Sequence, residues 1–464
     1  MPTTRFTRTL AATAVGVYLL LVVGATAALA DAAAACGGWP LCGPGRGTTF
    51  TPEFAIAVGH RIVAAFVGVL VLATAVLGYR AGTSRRVKGA LLAAVALYPA
   101  QVLFGAFVAV TDAPALLSAG HLLLAVGIFG SLVLALAWQL ERETGTDDDT
   151  PVSMPEADLP DEVPPAPTPT YDSFTERARA TVWAYFQLTK PRLMWLLCLV
   201  ASAGMALAAG ANGLGLETVL YTLGGGVLAI GASGTFNHVL ERDVDRKMDR
   251  TSDRPLATHE VPVPNALVFG VTLGLLSLVA FWQVNLLAAV LGLTAIVFYS
   301  VIYTLLLKPN TVQNTVIGGA AGALPALIGW VAVTGNVGLG GFVLASVIFM
   351  WTPAHFYNLA LAYKDDYARG GFPMMPVVRG ETETRKHIIW WLGATLITAA
   401  GLAVMDALGL VYVVTSLLLG GVFLYFVVRL HYEQDDTAAF RAFHASNAYL
   451  GMLLLAIVVD TLAV

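Results

Sequence analysis

The sequence predicts an all-α, polytopic membrane protein, built as a four-helix transmembrane bundle followed by a nine-helix transmembrane bundle. Hydrophobic residues make up 57% of the 464 and charged residues only 12%. That is far more apolar material than a water-soluble core uses, and it is gathered into runs of about 20 residues, the length that crosses a bilayer. The basic residues supply the second observation. If the N-terminus lies on the inner side, alternating loops place all 26 Lys and Arg inside except Arg46 and Arg61. This is the asymmetry that orients membrane helices, and it predicts an N-in, C-out chain in the cell membrane.

The first run extends from Leu10 to about Ala30 behind Arg5 and Arg8. A signal peptide has a shorter apolar region, and here "AALADAAAAC" leads on into further spans, so a retained helix is expected. Spans follow near 54–79, 89–110 and 118–139. Cys36 and Cys42 fall in the first outer loop, where oxidation is chemically open to them; Cys198 falls in an apolar span and reads as packing. From Glu141 to about Thr170 the chain is rich in Pro, Thr and acidic residues without apolar periodicity, which reads as an extended or disordered cytoplasmic linker. Three regions are thus expected: 1–140, a linker over 141–178, and 179–464. The last should carry nine spans, near 193–210, 216–238, 264–282, 286–307, 314–334, 339–361, 388–408, 410–429 and 446–463. Stretches such as "VIGGAAGALPALIG" supply small residues that let membrane helices approach closely. No nucleic-acid partner is expected.

One inner loop stands apart. Ten of the fourteen residues from Glu241 to Arg254 are charged, in the stretch "NHVLERDVDRKMDRTSDRPL". Asn237, Glu241, Asp245 and Asp249 recur every four residues and share one helix face. Like charges at that spacing repel, so the row calls for a cation, and oxygen donors of this kind suit Mg²⁺. The other reading is a solvated helix end whose Arg242, Arg246 and Lys247 serve orientation. A second inner loop, "WTPAHFYNLALAYKDDYARGGFPMMPV", carries the acidic pair Asp365 and Asp366. With Arg250, Arg254 and Lys308, the two loops offer metal ligands and cations together, the combination that holds a diphosphate leaving group. Beside apolar helices, this points to an enzyme acting on an isoprenyl diphosphate.

The stretch "NHVLERDVDRKMDRTSDRPL" resembles the first aspartate-rich motif of the UbiA superfamily of intramembrane prenyltransferases, usually N-D-x-x-D-x-x-x-D. "RKMDRTSDRPL", "LTKPRLMWLL" and the Asp365–Asp366 loop look like one branch of it, the haem O synthases, over roughly residues 180 to 464. The resemblance implies Asn237, Glu241 and Asp245 as catalytic metal and diphosphate ligands, with Asp365 and Asp366 in the second acidic motif and Asp366 also on the metal. It implies Arg250 and Arg254 at the phosphates; Lys190 and Arg192 are candidates for the phosphate or a haem propionate, or simply flank a span. The chain departs from the motif at Glu241, which lengthens a carboxylate by one methylene, and at His238. The implied reaction joins an isoprenyl chain, farnesyl or longer, from its diphosphate to a vinyl group of haem b, with Mg²⁺ as cofactor and no redox group. A UbiA-type transferase for a quinone or lipid precursor, and a non-catalytic haem-delivery module, are the alternatives. His355 reads as a haem contact or a hydrogen-bonded intramembrane histidine. Tyr299 and Tyr303 read as packing.

Residues 10 to 140 resemble one half of haem A synthase, through "CGGWPLCG", "AVGHRIVAAF" and "AGHLLLAVGIF". His60 and His121, at the outer ends of alternate helices, are the implied haem ligands; two interfacial polar residues with no shared ligand are the other reading. Ala57 stands where that family commonly has Glu. The expectation is a haem-binding, docking or vestigial region, with Cys36 and Cys42 closing a loop by disulfide. Haem A synthase or terminal-oxidase assembly are the implied partners.

Overall fold

The computed structural model describes residues 4–29, 51–111, 115–146, 173–403 and 408–462, with positions 32, 36, 38–40 and 42. The regular elements among them are all helical. In chain order they are α1 (Arg5–Leu29), α2 (Pro52–Arg80), α3 (Arg85–Val110), α4 (Ala115–Thr144), α5 (Phe174–Leu188), α6 (Pro191–Ala209), α7 (Leu216–Asp245), α8 (Val263–Val284) and α9 (Leu286–Val297). A π-helical segment, Phe298–Leu307, continues α9, and then come α10 (Asn314–Thr334), α11 (Leu339–Ala362), α12 (Lys364–Arg369), α13 (Met375–Arg379), α14 (Glu381–Ala403), α15 (Leu410–Glu433) and α16 (Asp436–Leu462).

Twelve of the described helices, counting α9 and its π extension as one, are long and apolar enough to cross a membrane. Each coincides with an expected span. The thirteenth, expected near 388–408, corresponds to α14, which is not among the twelve: Arg385, Lys386 and His387 lie in its first two turns, and positions 404–407 lie outside the described residues. Many large apolar side chains face outward, among them Phe66, Leu123 and Val268, as lipid-facing positions require. The protein is a multi-pass membrane protein. The linker between positions 147 and 172, and Arg46, lie outside the described residues.

The described helices pack as two compact units, 1–147 with 385–449 and 148–384 with 450–464. In the first, α1 to α4 pack with α14, α15 and the first part of α16. Cys36 and Cys42 are joined there by a disulfide. In the second, α6 and α10 cross at backbone contact. A Cβ at Gly329 would lie 2.1 Å from the Ala201 carbonyl oxygen, and one at Gly204 would lie 2.4 Å from that of Ala326. Only glycine permits this approach, which is how membrane helices gain packing without help from water. Asn285 holds the tight α8–α9 turn: its side chain accepts from Ala288 N at 2.8 Å and donates to the Val331 carbonyl at 3.0 Å.

Composition gave no sign of α5 as a separate element. It is a 15-residue helix capped by Ser173, with Glu176 in its first turn, buried Ala184 and Leu188, and exposed Val182, Trp183 and Phe186. The charged stretch after α7 also has a packed underside. Met248 sits in an apolar cluster with Tyr367, Phe372 and Met374, while Leu256 and Val261 pack with Leu188 and Val239. These anchors fix a loop that its charges alone would leave solvated.

Candidate active site

The site forms at the last turns of α7. At about 1.5 Å per residue its 30 residues reach about 45 Å, well beyond a hydrocarbon core of about 30 Å. Asn237, Glu241 and Asp245 occupy successive turns of one face and are 2%, 5% and 1% exposed. Burial at that level demands a partner for each group. Lys190 Nζ donates to Asn237 Oδ1. Lys308 Nζ lies 2.6 Å from Glu241 Oε1. Arg254 Nη1 meets both oxygens of Asp245 at 2.8 Å and stands 3.9 Å from Glu241 Oε2.

Each cation arrives on a different element. Lys190 caps α6 in the left-handed conformation, φ 53°, immediately before Pro191. A non-glycine residue there is strained, and here the strain turns the lysine onto α7. Gly234 makes room for it: a Cβ at that position would lie 2.8 Å from Leu188 O and 3.2 Å from Lys190 Cγ. Lys308 follows the π-helix, whose wider turn also brings Tyr299 and Thr304 inward. Tyr299 OH accepts from Lys190 Nζ at 3.2 Å, and Thr304 Oγ1 accepts from Asn237 Nδ2 at 3.1 Å. Burial lowers Lys190 to about 8, with Arg254 acting in the same direction against Glu241 and Asp245. Burial also lowers Lys308, against the pull of Glu241.

Asp366, expected at the metal, makes contacts with the charged loop in this structure. Its oxygens accept from the backbone N–H of Asp249 at 3.3 Å and of Arg250 at 3.1 Å, and it pairs with Arg369, which also holds Asp249 at 2.6 Å. In this structure it anchors the charged loop. Burial raises its carboxyl, but the bonds from Arg369 and the two N–H groups outweigh that and hold it below the usual carboxylate range. Asp365 is exposed at the start of α12, and Arg192 is exposed with no described contact to the cluster.

Arg250 lies over the rings of Tyr363 and Tyr367, 5.0 and 5.4 Å from their centroids, and donates to Tyr367 OH at 3.3 Å. Among the described residues no carboxylate pairs with it, and its buried Nε has no partner. A guanidinium without a carboxylate partner can pair with an anion. His238 is buried with Nδ1 unpartnered, His355 stacks on Trp351 with ring centroids 4.2 Å apart, and Tyr303 packs against Gly318.

Among the described residues no three Asp, Glu, His or Cys side chains gather as a metal site. The row on α7 still fits a hard divalent cation in kind, since it offers an amide oxygen and two carboxylates. Its three negative or polar ends are at present compensated by Lys190, Lys308 and Arg254, the groups a diphosphate would attract. Sequence reasoning set Tyr299 aside and passed over Thr304 and Arg369. The paired Tyr299 and Tyr303 before Lys308 were the available signal, but the π register that aims this segment inward has no mark in composition.

His60 and His121 lie in the first unit, each with a buried, unpartnered Nδ1, and His121 Nε2 is 3.1 Å from Gln101 Nε2.

Fold and site together define a multi-pass helical membrane enzyme with an ionic site set into its helix ends. The chain belongs to the UbiA prenyltransferase family, whose model matches residues 196–453. It is 66% identical to a protohaem IX farnesyltransferase of Haloarcula marismortui, covering 99% of this chain and 98% of the relative, and 66% identical to protohaem IX farnesyltransferase 1 of Natronomonas pharaonis, covering 100% of both. Its fold is similar to that of a digeranylgeranylglyceryl phosphate synthase (TM-score 0.52, 15% identity, 61% of this chain and 100% of that one).

Proposed function

We propose that this chain is a protohaem IX farnesyltransferase and makes haem O. The observation that carries the reading is the buried ionic row of α7 within a chain 66% identical, from end to end, to curated enzymes of that name. Arg250, Arg254, Lys190 and Lys308 bind the isoprenyl diphosphate. Asn237, Glu241 and Asp245 would hold Mg²⁺, which would supply charge neutralisation at the leaving group. The allylic carbon–oxygen bond breaks and diphosphate departs with the electron pair. The vinyl carbon of haem b then attacks the allylic cation to form the carbon–carbon bond, and water captures the porphyrin-side cation and loses a proton. The product carries a hydroxyethylfarnesyl side chain. Basic residues aimed at the developing diphosphate charge are the main catalytic demand, and the apolar helices keep water from the allylic cation.

In this reading residues 179–464 carry the transferase, the N-terminus is cytoplasmic and the C-terminus outside. His60 and His121 hold a haem in the outer region, which docks with haem A synthase or the terminal-oxidase assembly line. The test is to express the chain in cells that make only haem b and to weigh the extracted haems. A haem heavier by a hydroxylated farnesyl group is expected; good expression with no new haem would overturn the reading.

A further inference from the structure

Asn237 is the one member of the α7 row whose two ends differ, so it serves a cation only when its carbonyl faces the site. The local hydrogen bonds decide which way it faces. Lys190 Nζ has only protons to give, so the Asn237 atom meeting it must be the oxygen. On the other side stands Thr304, whose hydroxyl donates to the Tyr299 carbonyl at 2.8 Å, five residues back. With its proton committed there, Thr304 Oγ1 can only accept, and the Asn237 NH₂ at 3.1 Å supplies the donor. This five-residue back-bond belongs to the π-helix. In an α-helix a threonine hydroxyl reaches the carbonyl four residues back, as Thr294 does at Val290.

We propose that Thr304 is a positioning residue, which fixes the orientation of Asn237 so that its oxygen faces the site. The inference rests on the reading of Asn237 as a ligand in the proposed function. Thr304 acts through the Asn237 amide, which its hydroxyl meets. It is 4% exposed, and valine matches its shape without the hydroxyl, so Thr304→Val removes the orienting bond at little cost in packing.

The test uses the full chain in detergent, with Mn²⁺ as a paramagnetic probe alongside farnesyl thiodiphosphate, and counts bound Mn²⁺ by electron paramagnetic resonance. Thr304→Val should weaken Mn²⁺ binding about 10-fold or more, the usual effect of removing a group that orients a ligand, and Thr304→Ser should restore it. The decisive comparison repeats Thr304→Val in the Asn237→Asp background. A carboxylate has two equivalent oxygens and needs no orienting, so there the loss should shrink to less than about 2-fold, a non-additivity expected of coupled neighbours. Equal losses in both backgrounds would mean packing alone and would overturn the inference, as would a Thr304→Val chain that binds like the wild type. A wild-type chain that binds no Mn²⁺ would instead overturn the ligand reading itself, and this inference with it.

Discussion

At Asp245, burial and pairing act together: a carboxylate 1% exposed has both oxygens on a single guanidinium nitrogen of Arg254. Taking one partner from a buried pair costs about 3–5 kcal/mol, so the substitution that probes chemistry should keep shape. Asp245→Asn is expected to lower haem O formation by at least about 100-fold, on the scale of losing one charge-stabilising group, while the chain still inserts and purifies as a single species. Turnover near the wild-type rate would remove Asp245 from the machinery. Asp366 predicts something different, because it braces backbone. Its folded-state pKa lies below the ordinary value of about 3.9, so its contribution is complete above that pH and fades as pH falls through the folded value. Protection of the Asp249 and Arg250 amides, their exchange rate taken relative to the intrinsic rate at each pH, should therefore fall on acidification in the wild type. In Asp366→Ala the same amides should be poorly protected at every pH. The row Asn237, Glu241, Asp245 was legible because a four-residue spacing is local. Arg254, Lys308 and Lys190 were legible as cations for the site but not as partners of particular groups, since Lys190 and Lys308 stand 47 and 67 residues from theirs. Asp366 was recognised as acidic, but its bonds to the Asp249 and Arg250 N–H groups were not foreseen, because a side chain that accepts from distant backbone leaves no trace in the pattern.

At the scale of helices, length and hydropathy were enough to place the twelve membrane-length helices, because an apolar run of about 20 residues has one way to satisfy its backbone in lipid. The elements that shape the site were harder to foresee. α5 is amphipathic and too short to span, α12 and α13 have only six and five residues, and the π-helix is a change of register inside an otherwise ordinary apolar run. The α5–α6 corner shows how such an element reaches the chemistry. Gly234 lets α7 touch the Leu188 carbonyl, and that contact seats Lys190 over Asn237. Gly234→Ala should push the corner outward, at a cost of about 1–3 kcal/mol for overpacking. The lysine moves with it, so KM for farnesyl diphosphate should rise more than kcat falls. A change in stability with unaltered KM would detach Lys190 from substrate binding.

For the whole molecule, the packing of the first unit ties the N-terminal helices to the end of the chain. Tyr18 of α1 and Ser416 of α15 share a buried hydrogen bond of 2.6 Å, Lys386 of α14 reaches Glu141 of α4 at 2.7 Å, and Gln434 after α15 donates to the Thr144 carbonyl at 2.7 Å. Tyr432 donates to Glu143, which also accepts from Thr4, Thr7 and Gln139. Each bond inside a membrane contributes only about 0.6 kcal/mol, so their sum is modest beside the packing they register. The consequence lies in what deletion would expose. Without residues 1–146, Ser416 loses Tyr18, Tyr432 loses Glu143 and Lys386 loses Glu141, all inside a region that the family model includes up to residue 453. The truncated chain is therefore expected to melt lower than the full chain by on the order of 5 °C or more, read by thermal unfolding in detergent. Supplying residues 1–146 as a separate polypeptide should restore part of that difference, because the contacts need proximity and not covalent continuity through the linker. A truncated chain with an unchanged melting temperature would show instead that the N-terminal helices stabilise nothing beyond themselves. Their presence in the chain would then have to be explained by what they bind.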